Sequence, residues 1–355
     1  MINSKKWSIG VLGLSSILVI GIALFVFCID PYFHYHAPFE EISYVMEEEQ
    51  YMNDGIAKNF SYDAAVVGTS MVRDFSMEKT NELFGVTSVK LMLQGEGFKR
   101  LAEITETAIS HNSNLKLVIR SIDPLWFTTD VEYEAYESYP EYLYDEELWN
   151  DFYYLLNGDV LVNRAFPQLI RTLRKVPARD FDDYINIGSG SRERVLAGYD
   201  RSSVKKMSVT EEETKNLLDA LYTNIHVNIV DTVKKHPEIS FYFFFPPYSI
   251  CWWDQYNLMG PEVMERRFLM EELVIEELIP FENIHLFSFN TNYALICNLD
   301  NYTDTVHYSG EIGNCILEWM KNGEYELTEE NYKEYIQDIK EFYENFDYNL
   351  INSTI

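Results

Sequence analysis

The sequence predicts an α/β fold with a mostly parallel sheet, preceded by one membrane-spanning helix. Short runs that are almost wholly apolar, such as "AAVVG" and "ISFYFFF", alternate along the chain with longer segments of helical periodicity. Strands that are apolar on both faces are typical of parallel sheets that helices cover on both sides. An uncharged run near the N-terminus is the third observation, and it predicts the membrane helix.

The uncharged run extends from Trp7 to Ile29 and is dominated by Leu, Ile, Val and Phe. Its 23 residues, at about 1.5 Å each in a helix, suffice to cross a hydrocarbon core of about 30 Å. Lys5 and Lys6 precede the run and acidic residues follow it, so the positive-inside rule predicts a cytoplasmic N-terminus and an extracytoplasmic bulk. A cleaved signal peptide is the alternative, but "FVFCIDPY" offers no small-x-small cleavage site. We therefore expect residues 1–30 to form a cytoplasmic stub and a single-pass cell-membrane anchor, with residues 7–29 in the membrane.

After a juxtamembrane segment at 31–60, five strands and the helices between them define a domain at 61–325. The expected strands are, in order, "AAVVG", "TSVKLML", "LKLVIRSI", "ISFYFFF" and "NIHLFSF". The expected helices are "GFKRLAEITETAIS", "VTEEETKNLLDALYTNIHVNIVDTVKKH", "PEVMERRFLMEELVIEEL" and "GEIGNCILEWMKN". The second of them carries acidic residues early and lysines late, as the helix dipole prefers. A final helix and tail at 326–355 is amphipathic and has one apolar face, formed by Tyr332, Tyr335, Ile339, Phe342 and Phe346.

The alternation of strands and helices fails between about residues 124 and 208. This stretch is rich in tyrosine and carboxylates, as in "VEYEAYESYPEYLYDEELWNDFYYLL", and it contains the compact basic patch "RTLRKVPARD". A region of that length with weak periodicity predicts an insertion beside the site. Its tyrosine rings are suited either to stacking on sugar faces or to packing as a cap without a ligand.

The charge balance limits the partners of the protein. The chain has 57 acidic and 28 basic residues, a formal net charge of −29. Nucleic acid is excluded as a partner, because its phosphates require Lys and Arg. An anionic membrane surface or polymer would also repel the chain, except where basic residues cluster locally.

The four cysteines do not predict a disulfide scaffold or a metal site. Cys28 falls in the membrane run, so Cys251, Cys297 and Cys315 allow one bridge at most. No Cys-x-x-Cys spacing or His/Asp ligand cluster occurs in the sequence, and we expect neither a metal nor a cofactor.

Ser70 is the first candidate site residue. The apolar run "AAVVG" ends at Gly68-Thr69-Ser70, where a serine ordinarily caps the following helix. In parallel α/β sheets, however, functional groups gather in the loops at the carboxyl ends of strands, and Ser70 lies at such an end. It is therefore a candidate nucleophile.

A nucleophilic serine needs a base, and the base needs an orienting carboxylate. Of the seven histidines, His307 is the best candidate, because it lies in a loop just before a helix in "DNYTDTVHYSGEIG". Asp304 precedes it by three residues, a spacing that on a turn lets the carboxylate reach Nδ1 and leaves Nε2 free. An incidental histidine at a helix entry is the alternative for Asp-x-x-His alone.

A Gly-x-Ser after the first strand and an Asp-x-x-His before the last sheet-covering helix resemble the SGNH (GDSL-type) hydrolase superfamily. The resemblance covers roughly residues 62–320 and implies a three-layer α/β/α fold with a mostly parallel five-stranded sheet. The chain is also similar to a group of membrane-anchored bacterial SGNH-like proteins, which are similar in layout to the D-alanylation protein of lipoteichoic acid assembly. The similarity lies in the N-terminal anchor, "NDGIAKNFSYDAAVVGTSM", "LKLVIRSID", "FFFPPYS" and "DNYTDTVHYS". In these families the serine is acylated, and the substrates are esters on cell-surface glycans, polymers or lipids.

The resemblance assigns the roles of single residues. Ser70 would be the nucleophile, His307 the base and Asp304 its orienter. The family's second block supplies a glycine N–H to the oxyanion hole, a role that "LQGEG" offers at Gly95, and the N–H of Ser70 would be another donor.

The third block departs from the family pattern. The superfamily has Gly-x-Asn-Asp after the third strand, whereas this chain has "RSIDP". Arg120 or Asp123 would replace the asparagine structurally, although a carboxylate opposes an oxyanion. We expect Arg120, together with Tyr248 and Ser249 of "PPYS", to contact substrate; two prolines that simply end a strand are the alternative for "PPYS".

Two functions from different classes remain open. The first is a membrane-anchored serine acyl-ester hydrolase or O-acyltransferase that acts on an acylated cell-surface polysaccharide, polymer or lipid. The second is a non-catalytic accessory protein that binds a glycopolymer or a multi-spanning acyltransferase. The missing asparagine favours the second, and the intact Ser/Asp/His set favours the first.

Overall fold

The computed structural model describes residues 4–183 and 189–352, without the side chain of Asn352. The chain divides into two compact units. The first, called here the anchor unit, comprises Met1–Ser61 and Ser138–Asp183, and the second, the sheet unit, comprises Tyr62–Glu137 and Tyr184–Ile355. Residues 184–188 of the expected insertion and the last three residues of the expected tail lie outside the described residues.

The helices are numbered along the chain. They are α1 (Ser4–Ile29), α2 (Glu49–Asn59), α3 (Met77–Phe84), α4 (Phe98–His111), α5 (Phe152–Leu155), α6 (Phe166–Leu173), α7 (Arg192–Ala197), α8 (Glu211–Ile225), α9 (Asp231–Lys235), α10 (Ile250–Met259), α11 (Pro261–Leu278), α12 (Tyr293–Cys297), α13 (Gly310–Asn322) and α14 (Tyr332–Asn345).

The sheet unit contains a six-stranded sheet. Its strands are β1 (Ala64–Gly68), β2 (Ser88–Met92), β3 (Leu117–Ser121), β4 (Ser240–Phe245), β5 (Ile284–Ser288) and β6 (Glu326–Leu327), in the order β2-β1-β3-β4-β5-β6. The first five strands pair in parallel, which confirms the predicted α/β class and the mostly parallel sheet. Nearly every position of these strands is buried, as expected when both faces of a sheet are covered.

The expected number of strands was wrong. A sixth strand, β6, pairs antiparallel with β5 through Leu286 and Phe287. It lies in the segment that was expected to contain only a helix and tail. Its two residues are too few to show an alternating pattern, and its formation depends on pairing with a strand about forty residues earlier, so the sequence carries no local signal for it.

The long helix expected before the fourth strand is interrupted rather than regular. The run consists of α8, a π-helical segment at His226–Val230, and α9. A capping box at Thr210 and Glu213 begins it, because each side chain accepts a hydrogen bond from the other's backbone N–H. The expected helical run is therefore confirmed, whereas the sequence did not predict its π-helical segment.

The sheet topology places the candidate site. The strand order reverses between β1 and β3, since β2 lies on one side of β1 and the later strands lie on the other. Such a reversal leaves a crevice outside the carboxyl ends of the two strands, where open α/β sheets bind their ligands. Ser70 follows β1 and Asp123 follows β3, so both lie at this crevice.

The anchor unit contains α1, α2, α5 and α6. Among the described residues, α1 is the one helix that is long and apolar enough to cross a membrane. Near its end only Val26 and Ile29 are buried, and most of its other residues are exposed. Residues 138–183, which were expected to belong to an insertion beside the site, cluster instead with the N-terminal residues.

Candidate active site

In the turn after β1, Gly68 meets the steric constraint and Thr69 provides the helix cap. The Ser70 side chain is needed for neither role. A Cβ atom on Gly68 would lie 2.4 Å from Ser121 Oγ, so only glycine fits at the end of β1. Thr69 caps the short 3₁₀ turn at Ser70–Val72, since its Oγ1 accepts from the Met71 N–H at 3.3 Å. Thr69 and not Ser70 is thus the cap, and the Ser70 hydroxyl is available for another partner.

That partner is His307. Ser70 Oγ lies 2.7 Å from His307 Nε2, and His307 Nδ1 lies 2.8 Å from Asp304 Oδ2. Asp304 Oδ1 also accepts from the backbone N–H groups of Val306 and His307, each at 2.8 Å. The three residues that the sequence singled out are therefore hydrogen-bonded in the order Ser70, His307, Asp304.

These hydrogen bonds determine which ring nitrogen can take a proton. Partial burial would raise the pKa of the Asp304 carboxyl, but hydrogen bonds from the His307 ring and backbone and from Val306 lower it to about 2. An ionised carboxylate can only accept, so the neutral imidazole must donate from Nδ1. Nε2 is then an acceptor and faces the hydroxyl of Ser70.

The loop that carries Asp304 and His307 is held on both sides. Tyr302 and Tyr308 form an antiparallel bridge at its base, and the Thr303 N–H donates to the His307 carbonyl at 2.8 Å. The buried Tyr308 hydroxyl donates to the carbonyl of Met71, the residue after the candidate nucleophile. The two halves of the site are therefore connected by a direct hydrogen bond as well as by packing.

A cavity of about 420 Å³ opens at these residues. It is lined by Thr69, Ser70, Met71, Gly95, Asp123, Leu125, Trp126, Asp304, Thr305, Val306 and His307. Gly95 lies in the turn after β2 with φ +69°, a left-handed conformation that favours glycine. The candidate oxyanion donor thus lines the same cavity as the candidate nucleophile.

Asp123 is buried at the wall of this cavity. Its carboxylate accepts from Thr69 Oγ1 at 2.9 Å, from the Leu125 N–H at 3.0 Å and from the Tyr248 hydroxyl. Burial raises the pKa of Asp123, and these hydrogen bonds, first that of Tyr248, oppose the rise. Asp123 thereby fastens Thr69, and with it the turn that carries Ser70.

Three residues that were expected to contact substrate do not line the cavity. Arg120 is buried within β3, where its guanidinium donates to the carbonyls of Phe98 and Asn228 at 3.2 Å each, and burial lowers its pKa to about 9. The Tyr248 hydroxyl is directed to Asp123. Ser249 Oγ donates to the Thr305 carbonyl at 2.6 Å. Tyr248 and Ser249 thus hydrogen-bond to residues that line the cavity. Arg120 instead hydrogen-bonds to backbone carbonyls of α4 and of the π-helical segment.

Trp126 is a cavity residue that the sequence reasoning missed. Its ring stacks on Tyr133 with centroids 5.5 Å apart, and its buried indole N–H has no hydrogen-bond partner among the described residues. The sequence did contain a signal, because "DPLW" follows β3 as "GTS" follows β1, at the same edge of the sheet.

No family model matches the sequence, and a search of the curated proteins finds no significant match. In the part of the chain that the structure describes, no group of three or more His, Cys, Asp or Glu side chains could hold a metal ion. All four cysteines are free thiols. The side chains that line the cavity therefore define the chemistry of the site.

Proposed function

We propose that the protein is a membrane-anchored serine acyl-ester hydrolase or O-acyltransferase of the SGNH type. The observation that carries the proposal is the hydrogen-bonded order Ser70 Oγ, His307 Nε2 and Nδ1, Asp304 Oδ2 at the mouth of a cavity. A hydroxyl, an imidazole and a carboxylate in this order form the arrangement that activates a serine on several unrelated folds.

In the proposed reaction Ser70 Oγ attacks the carbonyl carbon of the ester and transfers its proton to His307 Nε2. Asp304, whose carboxyl has a pKa of about 2, remains ionised and stabilises the imidazolium. The tetrahedral intermediate collapses, the alcohol leaves with the proton from Nε2, and an acyl group remains on Ser70. Water or another hydroxyl compound then gives its proton to Nε2 and attacks the acyl carbonyl. The second tetrahedral intermediate collapses, and Ser70 Oγ leaves and takes the proton back from Nε2.

The negative charge that develops on the carbonyl oxygen needs donors. The backbone N–H groups of Ser70 and Gly95 are the proposed pair, since both residues line the cavity. Loss of one such donor typically costs about 2.7–4 kcal/mol in the barrier. If the site is of the SGNH type, Arg120 or Asp123 replaces the asparagine that donates in the superfamily, and the site would use fewer side-chain donors.

The substrate class proposed is an acyl ester on a cell-surface glycan, polymer or lipid. The support is the resemblance in layout together with α1, which is long and apolar enough to hold the protein at a membrane. We extend the proposal to a three-layer arrangement, an extracytoplasmic location of the sheet unit and independence from cofactors. Trp126 would stack on an apolar or sugar face of the substrate.

The second candidate function is a non-catalytic accessory protein that binds a glycopolymer or a multi-spanning acyltransferase. One observation favours it: the buried Asp123 carboxylate lines the cavity where an oxyanion would form. In that case Ser70 and His307 would bind an acylated ligand without turnover.

The two functions are separated by an acyl-ester assay on the full chain in detergent. We expect 4-nitrophenol to be released from 4-nitrophenyl acetate by the wild type and by Ser203→Ala, an exposed serine of the sheet unit. Ser70→Ala and His307→Ala should both abolish the release. Acceleration by an added sugar alcohol, with the acetyl group found on the sugar, identifies a transferase. Release that survives Ser70→Ala would contradict the proposed function.

A further inference from the structure

The anchor unit exposes a continuous row of large apolar side chains. On α6 and the π-helical turn before it (Val160–Ala165), Val162, Phe166, Ile170 and Leu173 are 59, 45, 45 and 73% exposed. Their spacing of four, four and three residues places them on one side of the helix. These four residues are called the apolar stripe below.

The stripe is not the side of the helix that packs against the rest of the anchor unit. The opposite side of the same helix is already packed, with Ala165 fully buried and Gln168 3% exposed. Thr172 Oγ1 accepts from the Ser43 N–H at 2.9 Å, which attaches the helix to the unit on that side. The helix therefore has its inner contacts, and the stripe is left facing outward.

A second group of exposed side chains lies on the neighbouring turn. Trp149 lies just before α5 and is 71% exposed, and Tyr153 lies on α5 and is 55% exposed. Both α5 and the Val160–Ala165 turn pack against α1 and against each other. Tryptophan and tyrosine are the residues that favour the interface between membrane and water.

The exposed surface is continuous with α1. The rings of Phe25 and Phe166 have centroids 4.9 Å apart, so the apolar stripe contacts α1 through Phe166. Phe25 precedes the end of α1 at Ile29 by four residues, a distance of about 6 Å along the axis. The stripe therefore joins α1 close to its end, at the level where a spanning helix leaves the hydrocarbon.

Cations follow the stripe in a strongly acidic chain. Arg174 and Lys175 are exposed and come directly after Leu173. They belong to the basic patch "RTLRKVPARD", in a protein with a formal net charge of −29. An apolar face with aromatic residues and a basic flank is the pattern of helices that lie in the headgroup region of a bilayer.

We propose that the apolar stripe, with Trp149 and Tyr153, lies in the interfacial layer of the membrane that α1 spans, with Arg174 and Lys175 at the lipid headgroups. The anchor unit is then held to the bilayer by a spanning helix and an in-plane helix. This inference rests on the membrane anchoring in the proposed function and is independent of the acyl chemistry. Lipid fits better than a protein partner, because the stripe continues an apolar helix surface and ends in cations.

The test places an environment-sensitive NBD fluorophore at single cysteines of the full chain. The four native cysteines are replaced by alanine, and the label is attached at Leu173→Cys, Leu14→Cys or Asn216→Cys. Leu14 reports on α1, and Asn216, an exposed polar residue of α8, is the aqueous control. The protein is reconstituted in vesicles of phosphatidylcholine and phosphatidylglycerol, with and without lipids that carry a doxyl quencher on the acyl chain.

We expect blue-shifted emission and quenching by the doxyl lipid at positions 14 and 173, and neither at position 216. If the label at position 173 shows neither a blue shift nor quenching while the label at position 14 is quenched, the inference is overturned and the membrane anchoring by α1 stands. A blue shift at position 173 without quenching would show that protein covers the stripe, which also overturns it. An unquenched position 14 would refute the membrane anchoring itself, and the inference with it.

The cations are tested in the same system. Arg174→Glu with Lys175→Glu should reduce quenching at position 173 in vesicles that contain phosphatidylglycerol and change it little in phosphatidylcholine alone. If the double variant and the protein with Arg174 and Lys175 intact are quenched equally at position 173 in vesicles that contain phosphatidylglycerol, the role given to these two residues is overturned.

Discussion

Replacement of Asp304 by asparagine tests the orientation of the candidate base. The side-chain oxygen of asparagine can still accept from the backbone N–H groups of Val306 and His307, which lie 2.8 Å from Asp304 Oδ1. Its amide group, however, would donate toward His307 Nδ1, where the carboxylate accepts at 2.8 Å. The imidazole would then carry its proton on Nε2 and face Ser70 as a donor.

The expected loss follows from that change of tautomer. In serine proteases the same substitution lowers turnover by about four orders of magnitude. Asp304 is about half exposed, with a side-chain exposure of 55%, and water can partly replace its charge. We therefore expect Asp304→Asn to lose about three orders of magnitude, or about 4 kcal/mol in the barrier.

The assay is the second-order rate of labelling of the full chain by a fluorophosphonate, which reacts with an activated serine whatever the natural substrate. Asp300→Asn is the matched control, because Asp300 belongs to the same loop region and accepts from the Arg192 N–H instead of from the imidazole. Labelling of Asp304→Asn close to the wild-type rate would refute the assigned role of the carboxylate.

Two further predictions concern stability. Tyr248→Phe removes a donor from the buried Asp123 carboxylate and should lower the free energy of unfolding by about 1.5–3 kcal/mol, whereas Tyr222→Phe at an exposed ring should change it little. Thermal unfolding of both variants in detergent measures this, and equal shifts would contradict it. The lowered pKa of Asp304, about 2 against an ordinary 3.8, means that its hydrogen bonds stabilise the fold above about pH 4. The difference in unfolding free energy between wild type and Asp304→Asn should be constant at neutral pH and shrink from pH 4 toward pH 2, and a constant difference would contradict it.

The sequence was informative where signals are local. Apolar runs bounded by turns predicted the parallel strands, and the mostly parallel sheet is confirmed. The glycine before Ser70 and the three-residue spacing of Asp304 and His307 are also short-range patterns, and the structure brings these residues together. Their catalytic roles remain a prediction.

The sequence was less informative where a role depends on distant parts of the chain. The strand β6 forms only through pairing with β5, and its two residues show no periodicity. The direction of the Arg120 side chain follows from which face of β3 meets α4 and the π segment. A run of residues buried on both faces does not reveal that choice.

The division of the chain into units was equally hard to foresee. Residues 138–183 cluster with the N-terminal residues through contacts that span more than a hundred positions, such as the Tyr154 hydroxyl with Asp30 at 2.8 Å. Composition indicated that this stretch differs from the sheet-forming segments. It carried no information on which partner the stretch would pack against.

The position of the covalent adduct tests the central claim most directly. Full-length protein is labelled with a fluorophosphonate, digested, and the modified peptide is sequenced by mass spectrometry. We expect one phosphonyl group, on Ser70, and its loss in His307→Ala, because the hydroxyl is activated through Nε2 at 2.7 Å. An adduct on another residue, or no adduct on a folded wild type, would contradict the proposal that Ser70 is an activated nucleophile.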